Sequence, residues 1–118
     1  MKNALVVGAS GVIGHAVVRH IETLSDWSVT GLSRGGAPRY TQDVPWMRAD
    51  LDDPAALADL TGLSKVTHVF YAAYVPDSDL AKEARTNGRM LRNLLAALEA
   101  AKAPIDRIVV YQGGKVYG

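Results

Sequence analysis

The sequence contains no cysteine. That single absence removes a disulfide framework, a thiolate metal site and a cysteine nucleophile. Charge of one sign is also missing: 13 Lys and Arg face 12 Asp and Glu, for a net charge of +1 with no basic block. Nothing electrostatic therefore points to nucleic acid or an anionic membrane as the main partner. No apolar run approaches the roughly 20 residues a membrane span requires. The opening "MKNALVVGASG" carries one lysine and a short apolar run broken by glycine, too brief for a signal peptide. A cytoplasmic location is the expectation. The histidines His15, His20 and His68 are not grouped at metal-ligand spacing, so no metal site is expected. Repeats and low-complexity tracts are absent as well.

What is present is a globular composition, 48% hydrophobic and 21% charged over 118 residues, enough for one compact domain with a core. Short apolar runs alternate with segments of helical periodicity. Ala4 to Val7 suits a buried parallel strand, ending at Gly8. Ile13, Ala16, Val17, Ile21 and Leu24 then recur at helical spacing, with His20 on the same face as a core or boundary histidine. Residues 27–33 form a second strand, 35–45 a loop, and 46–50 a short third strand. Asp53 and Pro54 are an N-cap and first-turn proline, predicting a short helix. Residues 66–73 make a fourth strand, 77–102 a long helix, and 107–112 a fifth strand. Along the long helix Leu80, Ala84, Asn87, Leu91, Leu94, Leu98 and Ala101 form a core stripe with one polar member. Asn87 is read as structural, bonding backbone or lying at the stripe's edge. A second face, with Met90 and Ala97, is a candidate subunit contact, and a homodimer is one possibility.

This alternation predicts an α/β fold: a doubly wound, Rossmann-type parallel sheet of about five strands, order 3-2-1-4-5, with helices on both faces. Residues 1–118 are read as one domain. Such sheets bind ligands beyond the carboxyl ends of their strands, where the strand order reverses.

The first of these exits reads "GASGVIG", placing Gly8, Gly11 and Gly14 at G-x-x-G-x-x-G spacing. The first glycine permits a tight turn, the second lets backbone approach a pyrophosphate, and the third lets helix and strand pack closely. Helix-start N–H groups then face phosphate. A glycine pattern alone is weak; following a strand and opening a helix strengthens it.

The second strand ends "GLSRGG", with Ser33 and Arg34 where NAD binders usually carry an acid for the ribose 2′-hydroxyl. A guanidinium would pair with a 2′-phosphate that a carboxylate would repel. NADP(H) is therefore expected over NAD(H). After the third strand, Asp50 could accept from an adenine amino group or cap the next segment, and Leu51 could contact the ring. After the fourth, Ala72 and Ala73 leave room for a ribose or allow close helix packing.

Taken in order, "GASGVIG", "LSR", "ADLDD", "VTHVFYAAY", "NGRMLRNLLAALE" and "VVYQGGKVYG" resemble the extended short-chain dehydrogenase/reductases. Within them the resemblance is to the progesterone 5β-reductase and iridoid synthase group. It runs the whole length of the chain. The fourth-strand segment and the final segment are its more specific parts. The resemblance implies NADPH-dependent reduction of the C=C bond of an α,β-unsaturated carbonyl, a small-molecule substrate. Hydride would go to the β-carbon, with the enolate oxygen stabilised by preorganised donors. It assigns Lys115 as the active-site lysine and Gln112 as a cofactor contact. It also assigns Ser10, Gly11 and Val12, with Ile13 beside them, to the pyrophosphate, and Ser33 and Arg34 to the 2′-phosphate. Relatives often carry a second arginine at Ser33. The usual serine after strand five is replaced by Gln112-Gly113-Gly114, so the Ser/Tyr/Lys triad of sugar epimerases is not set up here. The family's catalytic tyrosine lies further downstream, and a substrate lobe follows. The expectation is a cofactor-binding portion truncated on its carboxyl side and inactive alone. The alternatives are a stand-alone dinucleotide-binding module or an epimerase/dehydratase fragment.

Overall fold

The computed structural model describes residues 1–35 and 44–111. Its centre is a five-stranded, all-parallel sheet in the order β3-β2-β1-β4-β5. The strands are β1 (Lys2–Val7), β2 (Trp27–Ser33), β3 (Trp46–Arg48), β4 (His68–Tyr71) and β5 (Arg107–Val110). The helices are α1 (Val12–Glu22), α2 (Pro54–Ala58) and α3 (Leu80–Ala100), with a 3-10 turn at Leu63–Lys65. This is the Rossmann-type architecture the alternation predicts.

The apolar run of β1 is explained by its position: its two faces are both covered. Leu5 and Val7 face one cluster, joined by Leu32, Val69, Leu94 and Leu98 under α2 and α3. Ala4 and Val6 face the other, with Val18, Ile21 and Val29 under α1. Full burial of a leucine such as Leu5 or Leu94 is worth about 2 kcal/mol.

Two helix faces differ from the sequence reading. In α1 the buried residues are Gly14, Val18 and Ile21, while Ile13 and Ala16 are exposed and His20 is a surface residue, not a core one. The cause is Gly14, which lies flat against the β1 exit and turns the helix toward it. In α3 the buried set is Glu83, Met90, Leu94 and Leu98, with Leu80 at 69% exposure. Met90 therefore belongs to the core at 7% exposure and is not available as a subunit contact.

The strands also stop short of their predicted ends: β3 at Arg48, β4 at Tyr71 and β5 at Val110. The residues beyond β3 and β4 turn away to form the site. The caps are as expected for α2, where Asp53 accepts from the Ala56 N–H at 3.2 Å. Asp79 caps α3 by accepting from Ala81 and Lys82. At its far end, Lys102 takes φ of 57°, and the Lys102 and Ala103 N–H groups bond the Glu99 and Leu98 carbonyls. That is a left-handed helix stop built without glycine.

Candidate functional site

Because β3, β2, β1 and β4 all run the same way, their carboxyl ends converge on one cleft of about 340 Å³. Gly8, Ser10 and Gly11 enter it from the β1 exit, and Ser33 and Arg34 from β2. Ala49, Asp50, Leu51 and Asp52 follow β3, and Ala72, Ala73, Tyr74 and Val75 follow β4. Thr86 and Met90 of α3 close one wall. Nine residues singled out from sequence thus meet in space: Gly8, Ser10, Gly11, Ser33, Arg34, Asp50, Leu51, Ala72 and Ala73. Val12 and Ile13 open α1 outside the lining, Val12 being 89% exposed. Their N–H groups belong to the first helical turn, which has no intrahelical acceptor. Gln112 and Lys115 lie outside the described residues.

The three loop glycines are held for different reasons. Gly8 has φ of +77°, and a Cβ there would lie 2.7 Å from the Ala73 nitrogen. Gly14 has no room at all, since a Cβ would lie 2.2 Å from the Gly8 carbonyl oxygen. Gly11 is different: its backbone is extended, and a Cβ would meet only the Gly8 oxygen, at an ordinary 3.5 Å. The protein's own packing requires glycine at positions 8 and 14 but not at 11. Gly11 faces the cleft, and open space before a glycine is what a close-approaching ligand needs.

Two arginines, Arg34 and Arg48, meet at the β2 exit, with Asp50 on the same cleft. The ion pairs among the described residues join His68 to Asp106, Lys82 to Asp77 and Arg89 to Asp52. Arg34 and its neighbour Arg48 are in none of them. Ser33, at 5% exposure, is buried beside them.

The loop after β3 is braced from α3, and sequence reading misses this. Arg89 donates to both carboxylate oxygens of Asp52, at 2.5 and 2.9 Å. The hydrogen bond from Arg89, then its charge, holds the Asp52 carboxyl below its ordinary value. Four residues on, the Asn93 amide donates to the Leu51 carbonyl at 2.8 Å. Asp50 accepts from the Asp52 N–H at 2.9 Å, so its capping role is real while it still lines the cleft. Asn87 bonds the Val75 backbone twice: it accepts from the N–H through Oδ1 and donates from Nδ2 to the carbonyl, both at 2.8 Å. It fixes the β4 exit much as a paired strand would. The structural reading of Asn87 is right; Arg89 and Asn93 carry no sequence signal except helical spacing from one another.

His68 is at the amino end of β4, away from the cleft, its Nδ1 2.8 Å from the Thr67 hydroxyl and its ring edge-on to Trp27 at 4.7 Å. The Tyr71 hydroxyl is buried with no hydrogen-bond partner among the described residues, and burial pushes its pKa up to about 12.

This cleft and this topology find counterparts in known proteins. The sequence profile of the NAD dependent epimerase/dehydratase family matches residues 4–118. The chain belongs to that family. It is 34% identical over 122 residues to an (S)-8-oxocitronellyl enol synthase of Nepeta cataria, an alignment covering 97% of this chain and 31% of the relative. It is 30% identical to a 3-oxo-Delta(4,5)-steroid 5-beta-reductase of Arabidopsis thaliana, with the same coverage. The chain thus spans about a third of the length of these curated relatives. Among solved structures, a short-chain dehydrogenase/reductase superfamily protein of Agrobacterium tumefaciens with bound NAD superposes at a TM-score of 0.69 and 27% identity. That match covers 92% of this chain and 32% of the other. A UDP-N-acetylglucosamine 4-epimerase of Bacillus cereus shares the fold at a TM-score of 0.71 and 22% identity, over 93% of this chain and 38% of the other. The chain is thus a Rossmann-type member of the NAD dependent epimerase/dehydratase family. No helix among the described residues is long and apolar enough to cross a membrane.

Proposed function

We propose that this chain is the NADP(H)-binding portion of an oxidoreductase that reduces the C=C bond of an α,β-unsaturated carbonyl. The observation that carries the cofactor half is the β2 exit. It presents Arg34, outside every ion pair among the described residues, where an acid would otherwise favour a free 2′-hydroxyl. Gly8, Ser10, Gly11 and the first-turn N–H groups of Val12, Ile13 and Gly14 would hold the pyrophosphate. Ser33 and Arg34 would take the 2′-phosphate. Asp50 and Leu51 would bound the adenine, and Ala72 and Ala73 leave space for a ribose. Gln112 and Lys115 would reach the cofactor and the reacting carbonyl. A reduced nicotinamide, when bound, supplies hydride; the chain's part is to bind and orient it and to stabilise negative charge on the carbonyl oxygen.

The substrate class rests on the two relatives. One is named for making an enol, the other for acting on a 3-oxo-Δ4,5 steroid, which is a conjugated enone. Both names describe chemistry at a carbonyl and the carbons beside it. The small-molecule carbonyl substrate and the cytoplasmic setting belong to this proposal too.

Calorimetric titration with NADPH and NADH tests the cofactor assignment. NADPH should bind at least about tenfold more tightly, and Arg34→Ala should reduce the difference. Equal affinities in the intact chain would refute the NADP(H) assignment. The 118 residues alone should bind NADPH without oxidising it in the presence of an enone. Enone-dependent oxidation abolished by Lys115→Ala would overturn that expectation.

A further inference from the structure

The corner at the β2 exit contains a residue with no assigned role. β2 and β3 pair in parallel with Ser33 opposite Arg48. In this register Gly31 pairs with Trp46, and the Trp46 ring covers the face of Gly31 on the α1 side. Two residues on along both strands, Ser33 and Arg48 lie on that same α1 side, because strand side chains alternate. Met47, one residue before Arg48, goes to the opposite cluster. Arg48 is exposed, and its Nε–H donates to the Arg34 carbonyl oxygen at 3.3 Å. That bond uses one of five guanidinium N–H donors and ties the group to the backbone of Arg34. The Arg48 guanidinium is therefore anchored on the backbone of the residue that carries the other guanidinium at this strand exit. Neither is in an ion pair among the described residues. Like charges near one another repel, and a dianion placed between them offsets that repulsion.

We propose that Arg48 is a second determinant of 2′-phosphate recognition, acting with Arg34 as a two-pronged clamp supplied by two adjacent strands. This rests on the dinucleotide reading of the cleft and deepens it. It adds a residue that the glycine loop and the second-strand pattern do not mark. Arg48 stands just outside the cleft lining, reaching its rim through the Arg34 carbonyl. A 2′-phosphate projects outward from the ribose, so the rim is where a second cation can meet it. Paired guanidiniums suit a phosphate because each can present two parallel N–H groups to its oxygens.

The test uses adenosine 2′,5′-bisphosphate and AMP, which differ only in the 2′-phosphate. Both are titrated by calorimetry into the intact chain and into Arg48→Gln and Arg48→Lys variants. The exposed position should leave the fold intact, checked by far-ultraviolet circular dichroism. The intact chain should prefer the bisphosphate. Arg48→Gln should weaken bisphosphate about tenfold and AMP less than about twofold, with Arg48→Lys recovering part of the loss. The bisphosphate's salt dependence should also flatten in Arg48→Gln. Equal weakening of both ligands would show that Arg48 merely shapes the loop, and an unchanged preference would show that it does nothing; either overturns the proposal. If neither ligand binds the intact chain, the dinucleotide reading fails first. If AMP binds and bisphosphate binds no better, the NADP(H) assignment fails and the clamp with it.

Discussion

At the scale of single residues, Gly14 and Gly11 make opposite predictions although one sequence pattern covers both. A methyl group at Gly14 would lie 2.2 Å from the Gly8 carbonyl oxygen, with only backbone to yield. Gly14→Ala should cost about 2–4 kcal/mol of unfolding free energy, measured by urea denaturation. A methyl at Gly11 meets an ordinary contact, so Gly11→Ala should cost under about 1 kcal/mol, mostly through the N-cap position. It should nonetheless weaken nucleotide binding at least about tenfold, because it fills the approach to the phosphates. If Gly11→Ala binds NADPH as well as the parent, the phosphate position is not at this loop. Residues whose reason is backbone geometry are legible in the sequence: Gly8 and Gly14 announce themselves by having no side chain. Gly11 is legible as a pattern member, but whether it serves packing or ligand space depends on what surrounds it in three dimensions. Arg48 is illegible, because nothing in a three-residue strand tells which neighbour its side chain reaches.

Elements are readable where one run of residues decides them and obscure where two distant runs meet. The strand at residues 27–33 has the predicted limits, since its apolar run ends at its own turn. The buried face of α1 is displaced from the predicted one, because contact with the β1 exit outweighs the hydrophobic stripe. The brace on the β3 exit is the clearest case of the second kind. Asp52 and Arg89 are 37 positions apart, and no local pattern pairs them. The pair is exposed, so its effect on global stability should be small. Its effect on the loop carrying Asp50 and Leu51 should be larger, since among the described residues it shares with Asn93 the side-chain hydrogen bonding of that loop to α3. Arg89→Ala should lower NADPH affinity about three- to tenfold while the unfolding midpoint hardly moves. The pH dependence has a definite sign. The Asp52 carboxyl is held below its ordinary 3.8 by Arg89, so the brace is complete above that value and is lost as pH falls through the depressed one. Amide exchange at Leu51 and Asp52, compared between parent and Arg89→Ala, should therefore differ at neutral pH and converge in strong acid. Identical protection at neutral pH would remove the brace from the account.

At the scale of the whole molecule, β5 is an edge of the sheet among the described residues, and its composition is wrong for one. Among the described residues it pairs only with β4, and Ile108 and Val110 are 39% and 47% exposed. The run that predicts a strand buried on both faces is thus correct as a strand and incompletely covered among the described residues. On the α1 side of the sheet, Val12, Ile13 and Ala16 of the helix lie open near Phe70 and Tyr111. An apolar parallel edge with unpaired N–H and C=O groups is a template for pairing with another chain. Arg107 is the only charge on this strand, and it stands at the amino end, so the apolar stretch has no charged residue of its own to discourage pairing. The 118-residue chain should consequently self-associate, its mass by sedimentation equilibrium rising above 12.6 kDa with concentration. The range to examine is the micromolar to millimolar one in which exposed edges aggregate. Val110→Lys places a charge on the open edge and should return the mass toward the monomer value while leaving the overall fold, checked by circular dichroism, unchanged. Ile108→Lys should act in the same direction, since residues two apart in a strand share a face. A parent chain that stays at 12.6 kDa throughout would show that the edge is already protected. Association that persists in both lysine variants would move the contact from β5 to the open face of α1.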